Sequence, residues 1–298
     1  MNKLARKTAG RVALLVLSLL LLSLSATIAA AQTGAGTAPA PAKPQPQAPA
    51  SKTAAPALRA TEVPIDSSIP DDPGVDKMLE AYSPRVRELE VVIGKLNGEL
   101  KKTGIGAGGL GNFVADGMRA QATLKLGKPI DIAVMNGGGL RRNSIAEGEL
   151  RVRDIFELLP FENALVTLEL NGDQLLKLLG VVISSREAQS GARLTYRTKA
   201  DRSAELETAK LLDQNGQEKN IDPAATYTVV TIDYLINVGG ARYAVLREGK
   251  NTKPLGITLR DAMIAHVKSE TAAGREIKPN LDGRFILDRA NSVEAPPQ

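Results

Sequence analysis

The sequence predicts an α+β fold, a mixed sheet with helices packed against it, and three observations predict it. Some segments space their apolar residues at helical intervals, while others hold short β-branched runs bounded by glycine or polar turns. The two kinds are interleaved irregularly, which disfavours a strictly alternating parallel sheet. The stretch that carries them, residues 71–291, has the length of one ordinary domain, with Leu, Ile and Val spaced as a core requires.

The elements follow in order. Val75 to Ile93 carries Met78, Leu79, Tyr82, Val86, Leu89 and Val92 on one side and charges on the other, which predicts an amphipathic helix kinked at Pro84. A second helix is expected over Phe113 to Leu126, with Asn112 capping it. Asp131 to Met135 reads as a buried strand running into a glycine loop. A short helix over Asp154 to Leu159, a strand over Leu165 to Leu170 and a helix over Asp173 to Val182 come next. Strands are expected over Ala192 to Arg197, Thr208 to Leu212 and Thr226 to Ile232, with Asn215-Gly216 marking a tight turn. Thr258 to Val267 predicts the last helix.

Outside the domain the chain has a different character. Lys3, Arg6, Lys7 and Arg11 precede an uncharged apolar run from Val12 to Ile28 and the stretch Ala29-Ala30-Ala31, the pattern of a secretory signal peptide over residues 1–31. The alternative is an uncleaved anchor, since a membrane span needs about 18 to 20 apolar residues. Residues 32–70 are rich in Ala, Pro, Gly, Thr and Gln, which cannot bury apolar surface and predict a disordered tether; residues 292–298 predict a loose tail. The expected localisation is periplasmic or extracellular, with no stable membrane span once the leader is removed.

Composition narrows the chemistry. Of the net charge of +5, the leader holds four positive charges and no acid, so +1 remains, which gives no support to binding a nucleic acid polymer. The chain has no Cys and one His, His266, within a predicted helix. Cysteine nucleophiles and multi-imidazole metal centres are thereby excluded, no Gly-x-Ser-x-Gly elbow accompanies the histidine, and the expected role of His266 is structural or solvent-facing. No catalytic residue and no metal site is therefore expected in this chain, although a carboxylate-only magnesium site is conceivable. Gly104-Ile105-Gly106-Ala107-Gly108-Gly109 satisfies the dinucleotide fingerprint, but Glu99 to Lys102 does not read as the strand that should precede it.

Three segments cluster glycine, polar and aromatic residues where strands or helices end, which is where ligands are received. The first is Asn136-Gly137-Gly138-Gly139-Leu140-Arg141, in which glycines admit a ligand to the backbone while Asn136 offers donor and acceptor and Arg141 a planar cation. The second is Leu159-Pro160-Phe161-Glu162-Asn163. The third is Asp233-Tyr234, followed by Asn237-Val238-Gly239-Gly240-Ala241-Arg242-Tyr243. With only four Phe and five Tyr in the chain, two rings at such positions are placed to clamp a planar base by stacking, although each taken singly is more often core than clamp.

Together with Gly111-Asn112-Phe113-Val114-Ala115-Asp116-Gly117-Met118-Arg119, these segments resemble the carboxy-terminal domain of the 5′-nucleotidase family, over roughly Leu89 to Leu287. The resemblance implies that Asn136 bonds the base or ribose and Arg141 the ribose or phosphate. It also implies that Phe161 and Tyr234 sandwich the base, and that Gly137, Gly138, Asn163, Gly239 and Gly240 shape the pocket. Val238 is inserted and Ala241 stands where the family carries a ribose-binding acid. An arginine usual before the Gly-Asn pair is replaced by the Gly104 to Gly109 stretch, with Lys101 and Lys102 nearby.

In that family a separate amino-terminal metallophosphoesterase domain holds two metals and cuts the ester; ahead of the first helix this sequence shows only leader and tether. The expectation is an exported nucleotide- or nucleoside-binding domain acting in nucleotide catabolism or salvage with a separate phosphoesterase, through which alone divalent metals would enter. The alternatives are a nucleotide hydrolase in its own right and a scaffold with a decayed pocket.

Overall fold

Two prolines shape the start of the described chain, which comprises residues 62–213 and 215–293 of a computed structural model. The chain divides into units 1–66 and 67–298, and of the first only residues 62–66 are described, as exposed irregular backbone. The expected leader, most of the expected tether and residues 294–298 lie outside the described residues. In the second unit Pro73 opens α1 (Pro73–Leu79), capped by Asp72, and Pro84 sits in the first turn of α2 (Ser83–Leu89). Proline fits a first turn, where its missing N–H has no partner to lose, and breaks a helix interior. The single helix expected over Val75 to Ile93 is therefore two short ones, neither burying a residue, and Ile93 belongs to strand β1 (Val92–Leu96).

A two-residue strand β2 (Leu100–Lys101) does precede the glycine-rich stretch, and α3 (Gly108–Leu126) follows it. Asn112 lies a turn inside α3 and does not cap it: the helix already begins at Gly108 behind Ala107, which has φ 59°, and the Asn112 amide donates to the Asn280 carbonyl at 2.7 Å. The Gly104 to Gly109 stretch works by close approach. A Cβ on Gly111 would sit 2.0 Å from the Gly106 carbonyl oxygen, so only glycine lets the turn fold onto the helix.

Beyond α3 come β3 (Ile132–Met135), β4 (Ser144–Ile145), β5 (Gly148–Arg151), α4 (Val152–Leu158), β6 (Ala164–Asn171) and α5 (Gly172–Ser184). Next are β7 (Ala188–Ser190), β8 (Ala192–Thr198), β9 (Ala204–Leu212), β10 (Glu218–Asn220), β11 (Thr226–Ile232), α6 (Asp233–Asn237) and α7 (Ala244–Arg247). The chain closes with β12 (Lys250–Thr258), α8 (Leu259–Ala272) and β13 (Phe285–Leu287). The central sheet has order β12-β6-β11-β3-β7, and a second sheet has order β10-β9-β8-β13. Short ribbons β1-β5 and β2-β4 stand beside them. The fold is α+β with mixed sheets, as the sequence predicts.

Packing follows from the helical stripes. Leu175, Leu178, Leu179, Val182 and Ile183 on α5 are fully buried, each burial contributing about 1.5–3 kcal/mol, and α5 packs on β6, β11 and β9. α3 packs against α8 on one side and β3 and β7 on the other. Arg284, itself 5% exposed, binds Asp116 of α3 through both terminal nitrogens at 2.8 and 2.9 Å and also bonds Asp282 and the Gln189 carbonyl. Ser292 and Val293, at the head of the expected tail, are hydrogen-bonded to Thr198. Among the described residues no helix is long and apolar enough to cross a membrane.

Candidate functional site

The direction of five strands decides where the polar residues meet. β3 and β11 run parallel at the centre of the sheet, and β6, antiparallel to β11, begins where β11 ends. β7 is antiparallel to β3, with Ala188 opposite Met135, and β12 ends opposite Ala164. One edge therefore receives Asn136 after β3, Asp233 and Tyr234 after β11, Asn163 before β6, Glu187 before β7 and Leu259-Arg260 after β12. The Thr231 hydroxyl, donating to the Val134 carbonyl at 2.9 Å, fastens the parallel pair just short of this edge.

A small crevice there is lined by Met135, Asn136, Gly139, Leu159, Phe161, Asn163, Ile232 and Leu259. The Asn136 Oδ1 is buried in it with no hydrogen-bond partner. Leaving a buried acceptor unmet costs about 1–3 kcal/mol, so the atom is suited to a donor from outside. The Phe161 ring is 48% exposed at the crevice, and the Arg141 guanidinium lies 5.9 Å from its centroid. The Arg141 side chain has no carboxylate partner among the described residues.

Tyr234, also exposed, stands at the start of α6. Its backbone N–H and that of Ala164 both donate to the Asp233 Oδ1, at 2.8 and 3.1 Å, so one carboxylate locks the two aromatic segments together. Gly239 and Gly240 follow α6, outside the crevice lining. Gly240 has φ 79°, a backbone that side chains disfavour, and its carbonyl accepts from Arg247 at 3.1 Å. Gly137 and Gly138 face a neighbouring cleft. Val238 and Ala241 are exposed.

Two residues that the motifs did not single out hold the site in shape. Glu187, 6% exposed, accepts from the Gly137 N–H at 2.6 Å and from the Tyr243 hydroxyl, joining the first glycine loop to the second. Burial pushes the Glu187 carboxyl up, and burial followed by the Glu187 contact pushes the Tyr243 hydroxyl up. Arg260, 8% exposed, stacks 4.2 Å over the Phe156 ring, bonds the Glu162 carboxylate and reaches the Pro160 carbonyl, which pins the segment carrying Phe161. Both act across long sequence separations, so no local pattern announces them.

A larger groove, about 630 Å³, lies elsewhere, between α3 and α8. Its charges are engaged internally: Asp116 by Arg284, Glu270 by Arg275, and Asp213 by its own turn and Lys219. His266 lines it half-buried, in ring contact with Phe113, and burial lowers its pKa. The edge with unmet polar groups is the better site on chemical grounds, although it is the smaller cavity. Among the described residues no three His, Asp or Glu side chains are grouped to hold a metal ion.

The family model described as 5′-nucleotidase, C-terminal domain matches residues 90–248, more than half the chain, and takes in the whole of this edge up to Gly240. The chain is 27% identical over 238 residues to the trifunctional nucleotide phosphoesterase protein YfkN of Bacillus subtilis, covering 75% of this chain and 16% of that protein. It is 31% identical over 195 residues to endonuclease YhcR of the same organism, covering 63% of this chain and 14% of that protein. The chain thus spans about a sixth or less of these two relatives. Among solved structures, a 5′-nucleotidase precursor from Thermus thermophilus superposes with a TM-score of 0.61 at 27% identity, over 73% of this chain and 44% of that one. With matching order, spacing and fold, the chain belongs to the 5′-nucleotidase family and carries its C-terminal domain.

Proposed function

We propose that this domain holds the nucleoside part of a nucleotide or nucleoside at the sheet edge, and that phosphate ester cleavage is performed by a separate phosphoesterase that brings its own divalent metals. The protein is exported and acts in nucleotide catabolism or salvage. The observation that carries the reading is the unpartnered, buried Asn136 Oδ1 beside the exposed Phe161 ring. A planar base stacked on Phe161 presents amino and ring N–H donors at its edge, which is what the Asn136 oxygen lacks. Tyr234, locked to the same segment through Asp233, is placed to cover the opposite face, and Arg141 supplies a cation toward ribose or phosphate. The names of YfkN and the Thermus structure, a nucleotide phosphoesterase and a 5′-nucleotidase precursor, support this ligand class.

Calorimetric titration with adenosine, AMP and UMP tests it. Saturable binding is expected, weakened about fivefold or more by Phe161→Ala, since base stacking on an aromatic contributes about 1–3 kcal/mol. Asn136→Ala should weaken binding as well. No binding of any of these by folded protein would overturn the reading.

A further inference from the structure

Four asparagines in this chain are followed directly by glycine: Asn97-Gly98, Asn136-Gly137, Asn171-Gly172 and Asn215-Gly216. Such a pair carries a reaction of its own in water. The glycine backbone nitrogen, once it gives up its proton, attacks the asparagine Cγ; a C–N bond closes a five-membered succinimide, and the side-chain nitrogen leaves as ammonia. Water then opens the ring. Breaking the new bond leaves aspartate, whereas breaking the original peptide bond leaves isoaspartate, with the chain running through the side chain. One water is consumed and one ammonia released, with no change of oxidation state. Glycine suits the step because no side chain crowds the attack.

The fold treats the four glycine N–H groups unequally. Gly137 is buried and donates to the Glu187 carboxylate at 2.6 Å. Gly172 is buried and donates to the Pro223 carbonyl at 3.1 Å, while the Asn171 side chain accepts from the Gln174 N–H at 2.9 Å as the cap of α5. Gly216 lies on the exposed β9–β10 turn and donates to the Asp213 carbonyl at 3.0 Å. The Gly98 N–H has no hydrogen-bond partner among the described residues, and Asn97 beside it is exposed in the turn between β1 and β2. An N–H held in a buried bond must be released before it can react, which leaves two polar groups unmet. Gly98 needs no such step. The Asn97 amide donates to the Glu276 carboxylate at 2.8 Å, an exposed contact that water readily replaces.

We infer that Asn97 is a site of spontaneous deamidation, and that Glu187 and Pro223 protect Asn136 and Asn171 by holding the attacking nitrogen. This holds whether or not the crevice takes a nucleoside. The product carboxylate puts a second negative charge beside Glu276 where a donor stood. At that spot Asn97 donates to the Ile277 carbonyl at 2.8 Å and Ile277 to that of Lys95 at 2.9 Å, the bonds that tie β1 to the segment after α8. Isoaspartate lengthens the backbone between Leu96 and Leu100, both fully buried, and so strains this tie. Asn136, whose oxygen lies in the crevice, stays an amide.

The full chain would be aged in mildly alkaline buffer, folded and in urea, then digested with trypsin and followed by mass spectrometry. The peptide Leu96–Lys101 reports Asn97. In the folded chain Asn97 should convert at least about tenfold faster than Asn136 and Asn171, the factor by which about 1.4 kcal/mol of local opening thins the reactive state. Asn215, whose glycine bond lies at the surface, should fall between. In urea, where every glycine N–H is open to water, the four rates should converge. Glu187→Leu, shown to be folded by its thermal melt, should speed conversion at Asn136 and leave Asn97 as it was. Asn97 surviving as long as Asn136 in the folded chain would overturn the inference. So would an order that persists in urea, because neighbouring residues and not hydrogen bonds would then set it. An Asn136 rate unchanged in folded Glu187→Leu would overturn the protection assigned to Glu187.

Discussion

Glu187 shows how much one side chain decides at this edge. It is nearly sealed from solvent, yet its two oxygens bridge loops that are far apart in sequence. Burial holds its carboxyl above the ordinary 4.5, more strongly than the contacts from Tyr243, Gly137, Arg242 and Lys102 lower it. The folded state therefore keeps the proton that the unfolded chain releases. The stability this supplies is complete below the unfolded value and is lost as pH rises through the folded one, because across that window the native state binds more protons. Glu187→Gln keeps an oxygen for the Gly137 N–H and does not titrate. The Tm of wild type relative to this variant should be highest below about pH 4.5 and decline as pH rises through the folded value, as thermal melts across a pH series would record. A flat or rising difference would mean that the carboxylate is ionised throughout.

Helices with their own apolar stripe were legible in the sequence, and elements completed by distant partners were not. α5 and α8 are found over or near their expected ranges because spacing within each helix states which face is buried. Strands β1, β7, β12 and β13 carry no alternating pattern, and β12 includes Pro254, which an edge strand tolerates. The stripe on Val75 to Val92 misled for the opposite reason: its periodicity is real, but Met78 and Tyr82 are each 63% exposed, and proline sets the helix ends. The same distinction governs the site. Asn136, Phe161, Asn163 and Tyr234 were visible as motifs; Glu187 and Arg260 act through contacts made only by folding. Close packing between elements gives a further test. Gly111→Ala would drive a methyl to 2.0 Å from the Gly106 carbonyl, whereas Gly180→Ala, inside α5, meets nothing within 4 Å. The first should destabilise by about 1–3 kcal/mol through overpacking. The second should stabilise by about 0.5–1 kcal/mol by restricting the unfolded chain. Denaturant unfolding would check both, and a stable Gly111→Ala would show that the Gly106 turn yields freely.

At the scale of the whole molecule, the core and the edge it supports are built entirely from β1 onward. Every buried apolar residue among those described lies between Ile93 and Ile277, and the site hangs on the ends of five strands that this core fixes. The stretch before β1 behaves differently. No residue of α1 or α2 is fully buried, and Val75, Met78, Leu79 and Val86 on them, with Tyr82 between them, face solvent, while Leu89 is half-buried. Glu90, by contrast, bonds Arg151 at 3.1 Å and Arg153 at 2.7 Å and so belongs to the domain. A chain beginning at Glu90 should accordingly melt within about 2 °C of the full chain, since removing a mostly exposed segment whose only apolar residue in partial cover is Leu89 changes stability by about 0.5 kcal/mol or less. It should also bind ligand with unchanged affinity, because no residue of the crevice precedes Met135. A loss of more than about 5 °C would mean that α1 and α2 do cover apolar surface in solution, and their exposed stripe would then be the first place to look for what they cover.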